Sequence, residues 1–248
     1  MSLLIDVFHL VSVAEIVSEI TANVELKFIT KPLIMLSLFV YAIYFNNANN
    51  GKLSINIFLA IFFAWLGDSF LLYDSVEIFF ILGLLSHLVM QFFYISILRN
   101  FGVKVLSFHR LFLGIYCGIL NYLIFDHVGD LRIPVFVFSL VVCATGISGL
   151  EMNASIQEKL NVLESSSPVP DSRIVESRQA SSWILYGVVF FVICDTTITF
   201  TKFGVLTHSL EYQAFIMFCY IVAQGFLVLG SLKLYNLNDF LQQSLKIE

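Results

Sequence analysis

The chain has 248 residues, of which 58% are hydrophobic and only 12% are charged, and its mean hydropathy is +0.89. Soluble domains carry about 25% charged residues, so half of the usual charge is missing. This composition excludes a water-soluble globular fold and predicts one all-α domain, a polytopic transmembrane helical bundle. The net charge of −5 provides no basic stripe, which excludes nucleic acid as a partner.

A transmembrane helix needs about 20 predominantly apolar residues, and the sequence predicts about eight spans. The predicted spans are, in order, Leu3–Ile20, Phe28–Phe45, Leu53–Tyr73, Ile78–Leu98, Leu111–Phe125, Ile133–Met152, Ser182–Phe203 and Tyr212–Tyr235. The first is the weakest because it holds Asp6, Glu15 and Glu19, and a helix lying in the membrane interface is the alternative for it. An even number of spans places both termini on the same side.

Two polar segments and a proline set the expected boundaries of the spans. Residues 153–180 contain the run ESSSPVPDSR, which is typical of a mobile polar loop between spans six and seven. Residues 236–248 are expected to form a polar C-terminal tail. Pro32 falls in the predicted first turn of the second span, where proline is tolerated.

The distribution of lysine and arginine predicts the orientation of the bundle. Eight spans place nine basic residues on one side and only four, Lys27, Lys31, Arg132 and Lys202, on the other. The positive-inside rule therefore puts the polar loop and both termini in the cytosol. The N-x-[ST] sequon at Asn153 would then be cytosolic and carry no glycan.

Two aspartates lie inside predicted spans, Asp195 in the seventh and Asp68, beside Gly67, in the third. A charged carboxylate at the bilayer centre costs about 2.5–3.5 kcal/mol on insertion scales, so both should face protein or trapped water. Thr199 and Lys202 follow Asp195 by one and two helical turns and share its face. We expect the remaining helices to hold both acids in one cavity. The two aspartates have three possible roles: general acid–base catalysis, hydrogen bonding between helices, or a transport path for protons or cations.

Polar side chains in two other predicted spans accompany the aspartates. His87 and Gln91 lie four residues apart on one face of the fourth span, and a hydrogen-bonded helix contact is the alternative to a functional role. Tyr220 and Gln224 lie one turn apart in the eighth span, and either hydrogen-bond between helices or contact a substrate. Because no second histidine follows His87 at i+3 or i+4, no metal site is predicted.

Two lysines and four cysteines complete the set of candidate functional groups. Lys31 and Lys202 lie near the ends of spans, where they either reach to the lipid headgroups or bind a lipid phosphate. The cysteines lie in apolar runs without paired spacing, which predicts buried free thiols and no disulfide framework.

Four stretches of the sequence carry a resemblance to a known family. They are Thr30–Leu33 (TKPL), Leu66–Leu72 (LGDSFLL), Cys194–Phe203 (CDTTITFTKF) and Tyr220–Gln224 (YIVAQ). In this order and spacing they resemble the YhhN-type family, the integral membrane lysoplasmalogenases, over most of the chain. The chain differs from the usual family pattern at Cys194, where serine is usual, and at Met90, where tyrosine is usual.

The resemblance implies hydrolysis of the vinyl ether bond of lysoplasmalogen, without a cofactor, to a fatty aldehyde and glycerophosphocholine or glycerophosphoethanolamine. A vinyl ether is cleaved by protonation at carbon, which creates an oxocarbenium ion. Such an ion needs an acid and an anion nearby, as in glycoside hydrolysis. On this hypothesis Asp68 and Asp195 are catalytic, and phenylalanine-rich walls receive the alkenyl chain. The residues expected to bind the lysophospholipid are Lys31, His87, Lys202, Tyr220 and Gln224.

The resemblance also suggests residence in the endoplasmic reticulum membrane, among membrane lipids. Two alternatives to the enzyme remain open. One is a proton- or cation-coupled transporter that uses the same buried carboxylates. The other is a lipid-binding or regulatory protein that has lost activity, which Cys194 and Met90 would fit.

Overall fold

The computed structural model describes residues 2–49, 53–166, 171–207 and 209–243, and all of its regular structure within these ranges is helical. The eight α-helices are α1 Ser2–Ile20, α2 Val24–Ala48, α3 Ile55–Leu71, α4 Glu77–Asn100, α5 Ser107–Ile124, α6 Arg132–Ser166, α7 Ser172–Lys202 and α8 Leu210–Gln243. A 3₁₀ turn, Gly129–Leu131, precedes α6. The predicted all-α class is confirmed.

Five helices, α2, α4, α6, α7 and α8, are long and apolar enough to cross a membrane, and α3 is apolar but shorter. The outer surface also carries large apolar side chains. Phe108 is 74% exposed, Tyr122 is 81% exposed and Ile133 is 77% exposed. An outer surface of this kind is stable in lipid and not in water. The chain is therefore an integral membrane protein.

The helices form a closed bundle in which α1 packs against both α2 and α8. Phe8, Ser12, Glu15 and Glu19 recur at helical spacing and form the buried face of α1. Thr30 of α2 donates a hydrogen bond to the buried Glu15 carboxylate. The acidic residues that weaken the first predicted span therefore point into the bundle.

Two glycines bring α7 and α8 into close contact. A Cβ atom on Gly187 would lie 2.9 Å from the backbone nitrogen of Leu227, and one on Gly230 would lie 3.0 Å from the carbonyl oxygen of Ala180. Small residues at such positions let two backbones approach directly, as is common between membrane helices. This contact fixes the position of α7, which carries Asp195.

The second helix begins at Val24, earlier than the predicted span, because Asn23 caps it by accepting a hydrogen bond from the Leu26 backbone nitrogen at 3.0 Å. Pro32 therefore lies inside α2, and its predicted place in the first turn is wrong. Proline has no backbone N–H, so the Phe28 carbonyl loses its usual helical partner.

The loop prediction for residues 153–180 is wrong, because α6 and α7 continue through this segment as a helical hairpin. Only residues 167–170 of the segment lie outside the described ranges. Met152, Ile156 and Leu160 recur every four residues and are fully buried. This apolar face gives the helix a packing surface despite the polar composition around it.

The predicted polar tail, residues 236–248, is helical up to Gln243, and residues 244–248 lie outside the described ranges. Leu237 is buried, which continues the apolar face of α8. The Arg173 guanidinium lies 4.3 Å from the centre of the Phe240 ring and holds this end of α8 against the start of α7.

Candidate functional site

A cavity of about 110 Å³ lies between the helices, bounded by residues of α2, α3, α4, α6, α7 and α8. The lining residues lie in the half of the bundle nearest the connections 21–23, 72–76 and 125–131 and the C-terminal end of α7. This volume holds several water-sized groups, enough for the reacting end of a ligand and not for a whole lipid. The predicted site residues that line it are Lys31, Asp68, His87, Asp195, Lys202 and Tyr220.

Asp68 is surrounded by polar partners. The Tyr220 hydroxyl donates a hydrogen bond to its Oδ2 at 2.7 Å, and His87 Nε2 lies 3.6 Å from its Oδ1. The neighbouring Gly67 makes this arrangement possible, since a Cβ atom there would lie 2.8 Å from His87 Nε2. The glycine of α3 thus lets α4 bring the imidazole beside the carboxylate.

Asp195 has a different environment. Among the described residues no side-chain or backbone group donates a hydrogen bond to its carboxyl group, and its Oδ2 is buried without a partner. The Thr199 hydroxyl donates to the Asp195 backbone carbonyl at 2.7 Å and not to the carboxyl group. The two acids therefore face the same cavity, one with a donated hydrogen bond and one without.

The two predicted lysines differ in the same way. Lys31 is only 9% exposed, and no described residue forms a hydrogen bond or salt bridge with its Nζ. Lys202 Nζ lies 3.1 Å from Asp74 Oδ2 and 4.5 Å from the centre of the Phe80 ring. Lys202 is thus tied to the connection between α3 and α4, whereas Lys31 is available to a ligand.

A second cavity of about 350 Å³ adjoins the first and shares Lys31 and Lys202 with it. We call this second cavity the vestibule, and its polar lining consists of Glu19, Lys27, Lys31, Asp74, Thr201, Lys202 and Gln213. The vestibule lies at the ends of the helices, beside the connections that bound the inner cavity. The charged vestibule suits the polar headgroup of an amphiphile, and the largely apolar walls of the inner cavity suit its hydrocarbon chain.

Gln224 and Gln91 do not line the inner cavity. Tyr94 donates a hydrogen bond to Gln224 Oε1 at 2.6 Å, and Thr145 donates one to Gln91 Oε1 at 2.7 Å. These buried bonds join α4 to α8 and α6 on the side of the cavity that faces the other end of the bundle. The structure therefore places Gln224 in a helix contact and not at the predicted substrate site.

Some lining residues were missed by sequence reasoning. Glu19 and Asp74 lie in the vestibule, and Cys194 lies on the inner cavity. The signal for Glu19 was its spacing of eight residues from Lys27, with which it forms a salt bridge of 2.8 Å across the α1–α2 turn. All four cysteines are buried and free, which confirms the prediction for them. Within the described ranges, no three His, Cys, Asp or Glu side chains are grouped closely enough to hold a metal ion.

Comparison with known proteins identifies the family. The profile of the YhhN family matches residues 26–231, a range that includes both aspartates and both lysines of the cavity. The chain therefore belongs to the YhhN family, and the resemblance drawn from the four stretches is confirmed. No curated protein and no solved structure matches the chain.

Proposed function

We propose that this YhhN-family protein hydrolyses the vinyl ether bond of lysoplasmalogens within the membrane. The products are a fatty aldehyde and glycerophosphocholine or glycerophosphoethanolamine. The observation that carries the proposal is the presence of two carboxyl groups, Asp68 and Asp195, on one cavity whose other walls are largely apolar. This reaction requires an acid, an anion and a pocket of low polarity that still admits one water molecule.

The different environments of the two acids support different roles. Asp195, to which no described residue donates a hydrogen bond, is assigned as the acid that protonates the vinyl ether carbon not bonded to oxygen. Asp68, which accepts a hydrogen bond from Tyr220, is assigned as the carboxylate that stabilises the oxocarbenium ion. Water then adds to the oxocarbenium carbon and returns a proton to Asp195. The hemiacetal loses its hydroxyl proton, its bond to the glycerol oxygen breaks, and that oxygen gains a proton.

The positions of the cations and aromatic rings support a lysophospholipid as the substrate. Lys31 and Lys202 lie where the inner cavity meets the vestibule, so a phosphate bound there leaves the sn-1 ether within reach of the acids. Phe138 and Phe191 line the inner cavity and provide apolar contacts for the alkenyl chain. His87 and Tyr220 position Asp68.

We further propose that all eight helices span the membrane as one domain, with both termini in the cytosol and the vestibule at the opposite surface. The burial of the acidic face of α1 within the bundle supports α1 as a span. The four basic residues at the vestibule end agree with the positive-inside rule. Residence in the endoplasmic reticulum follows only from family membership.

The shape of the cavity supports an enzyme over a transporter. The residues that line it all come from one half of the bundle, and the Tyr94–Gln224 and Gln91–Thr145 hydrogen bonds lie beyond it. A transport path needs polar access from both membrane surfaces. A pocket that ends in a buried polar layer suits a substrate that enters and leaves by the same opening.

The test uses purified protein in detergent with alkenyl, alkyl and acyl lysophospholipids that carry the same headgroup. We expect aldehyde only from the alkenyl lipid. In D₂O we expect one deuterium on the carbon next to the aldehyde carbonyl, because the solvent-derived proton of Asp195 is delivered there. Immediate trapping as a hydrazone prevents later exchange. The absence of aldehyde with folded protein, or aldehyde without deuterium, would contradict the proposed reaction.

A further inference from the structure

We propose that the vestibule binds a zwitterionic phospholipid headgroup, with Lys31 on the phosphate and Asp74 on the ammonium group, and that it prefers ethanolamine to choline. This proposal rests on the proposed function for the identity of the lipid chain and adds the identity of the headgroup. It concerns the headgroup alone, so it is testable with lipids that the protein does not cleave.

Lys31 is assigned to the phosphate of the headgroup. Its side chain is nine-tenths buried, yet it lines both the inner cavity and the vestibule and has no hydrogen bond or salt bridge within the described ranges. A buried cation without a partner is costly, and an anion that enters the vestibule removes that cost. A phosphate diester carries one negative charge and several acceptor oxygens, which suit an ammonium donor.

The other charged residues that line the vestibule form two pairs, and Lys31 belongs to neither of them. Glu19 lies 2.8 Å from Lys27, and Asp74 lies 3.1 Å from Lys202. Among the described residues that line the vestibule, Lys31 is thus the cation without a carboxylate partner, and the phosphate of a headgroup supplies that partner. The position at the helix ends also matches the depth at which headgroups lie in a bilayer.

Asp74 is assigned to the ammonium group of the headgroup. The Asp74 side chain is 54% exposed and has room for a second cation beside Lys202. Glu19 is a poorer acceptor, since its side chain is only 5% exposed and both of its oxygens already contact Lys27. Asp74 is therefore the carboxylate that an incoming ammonium group reaches.

The preference for ethanolamine follows from the chemistry of the two amines. A primary ammonium donates up to three hydrogen bonds to carboxylate and carbonyl oxygens, and a quaternary ammonium donates none. Quaternary amines bind instead to open aromatic faces. Phe80 is the aromatic residue in the described lining of the vestibule, and Lys202 Nζ already covers its face, 4.5 Å from the ring centre. The residues that the structure describes in the vestibule lining thus offer a hydrogen-bond acceptor and no open aromatic face.

The test measures binding of saturated 1-alkyl lysophospholipids, which contain no vinyl ether, to the full chain in nanodiscs. Three headgroups are compared: phosphoethanolamine, phosphocholine and phosphoglycerol. We expect the wild type to bind the ethanolamine lipid most tightly. Asp74→Asn should weaken ethanolamine binding roughly fivefold, the scale of a half-exposed ion pair. The same variant should leave phosphoglycerol binding unchanged or tighter, because a negative charge near the phosphate is removed.

Lys31→Gln should weaken all three lipids by a similar factor, and Lys31→Arg should retain most of the affinity. Asp130→Asn, at the same membrane end, and Lys233→Gln, in the distal part of α8, are matched controls that should change nothing. An equal effect of Asp74→Asn on all three headgroups, or no effect on any, would overturn the assignment. So would complete displacement of all three lipids by inorganic phosphate, since the site would then be a general anion site. If this order of affinities holds in a protein that releases no aldehyde, the headgroup site stands and the proposed reaction falls.

Discussion

Tyr220 and Tyr94 are both buried tyrosines whose hydroxyl groups donate a hydrogen bond to a side chain on another helix. The acceptor of Tyr220 is Asp68 on the inner cavity, whereas the acceptor of Tyr94 is Gln224, outside it. Comparing variants of the two tyrosines therefore distinguishes a catalytic role of Tyr220 from a role in helix packing. A single hydrogen bond to a charged acceptor is worth about 1.5–3 kcal/mol, more than one to a neutral acceptor.

Tyr220→Phe is expected to lower kcat for the alkenyl lipid by about tenfold, because Asp68 loses the donor that holds its carboxylate. Tyr94→Phe is the matched control. It should lower the free energy of unfolding by about 1 kcal/mol and leave kcat unchanged. Steady-state kinetics and thermal unfolding of the two purified variants provide the measurements. Equal losses of kcat in both would mean that Tyr220 acts only through packing.

Gly67→Ala is expected to impair catalysis through His87. The added methyl group would lie 2.8 Å from the imidazole, so His87 must move away from Asp68. Gly118→Ala on α5 is the control, since an added Cβ there meets no described atom within 4 Å apart from the backbone of its own helix. The higher helix propensity of alanine should stabilise this variant by up to about 1 kcal/mol. Aldehyde release and melting temperature are measured for both. Full activity in Gly67→Ala would show that the position of His87 is not needed.

At the scale of helices, the hairpin formed by the ends of α6 and α7 is the element least expected from the sequence. Its buried face, Met152, Ile156 and Leu160, packs within the main hydrophobic core. The segment should therefore exchange its backbone amides slowly, as a packed helix does and a mobile loop does not.

Leu160→Asp is expected to raise amide exchange across residues 153–166, because a charge replaces a fully buried side chain. Val162→Asp changes a neighbouring residue that is 48% exposed and should have little effect. Hydrogen exchange followed by mass spectrometry measures both. Rapid exchange of this segment in the wild type would contradict the helical hairpin.

Some features of the fold and the site could be predicted from the sequence, and others could not. Asp68 and Asp195 were predictable because an acid within an apolar span must face the interior of the bundle and not the lipid. Side chains that face the interior from different helices lie close together. The helical hairpin was missed because polar composition was given more weight than an apolar repeat of four. For Gln224 the sequence left a helix contact and a substrate contact open, because it lies one turn from Tyr220 and small differences in helix rotation decide which side chain meets a cavity. Asp74 was missed because its partner, Lys202, is distant in the sequence.

At the scale of the whole molecule, eight spans predict that both termini and Lys104 lie on the cytosolic side and that Asp130 lies on the other. The native cysteines are all buried, so single cysteines introduced at Lys104 and Asp130 should report the topology. A membrane-impermeant maleimide applied to sealed vesicles of known orientation should label the two sites from opposite surfaces. Tags at the two termini should both be accessible from the Lys104 side. Labelling of the termini from opposite surfaces would mean an odd number of spans.

The central claim is that two acids on one intramembrane cavity perform the hydrolysis. It is tested most directly by aldehyde release from alkenyl lysophospholipid by purified wild type, Asp68→Asn and Asp195→Asn, each checked for native unfolding behaviour. General acid catalysis contributes about 10²–10⁴-fold, so we expect Asp195→Asn to lose at least about 100-fold in kcat and Asp68→Asn to lose a comparable factor. Folded variants that both retain wild-type rates would contradict the account.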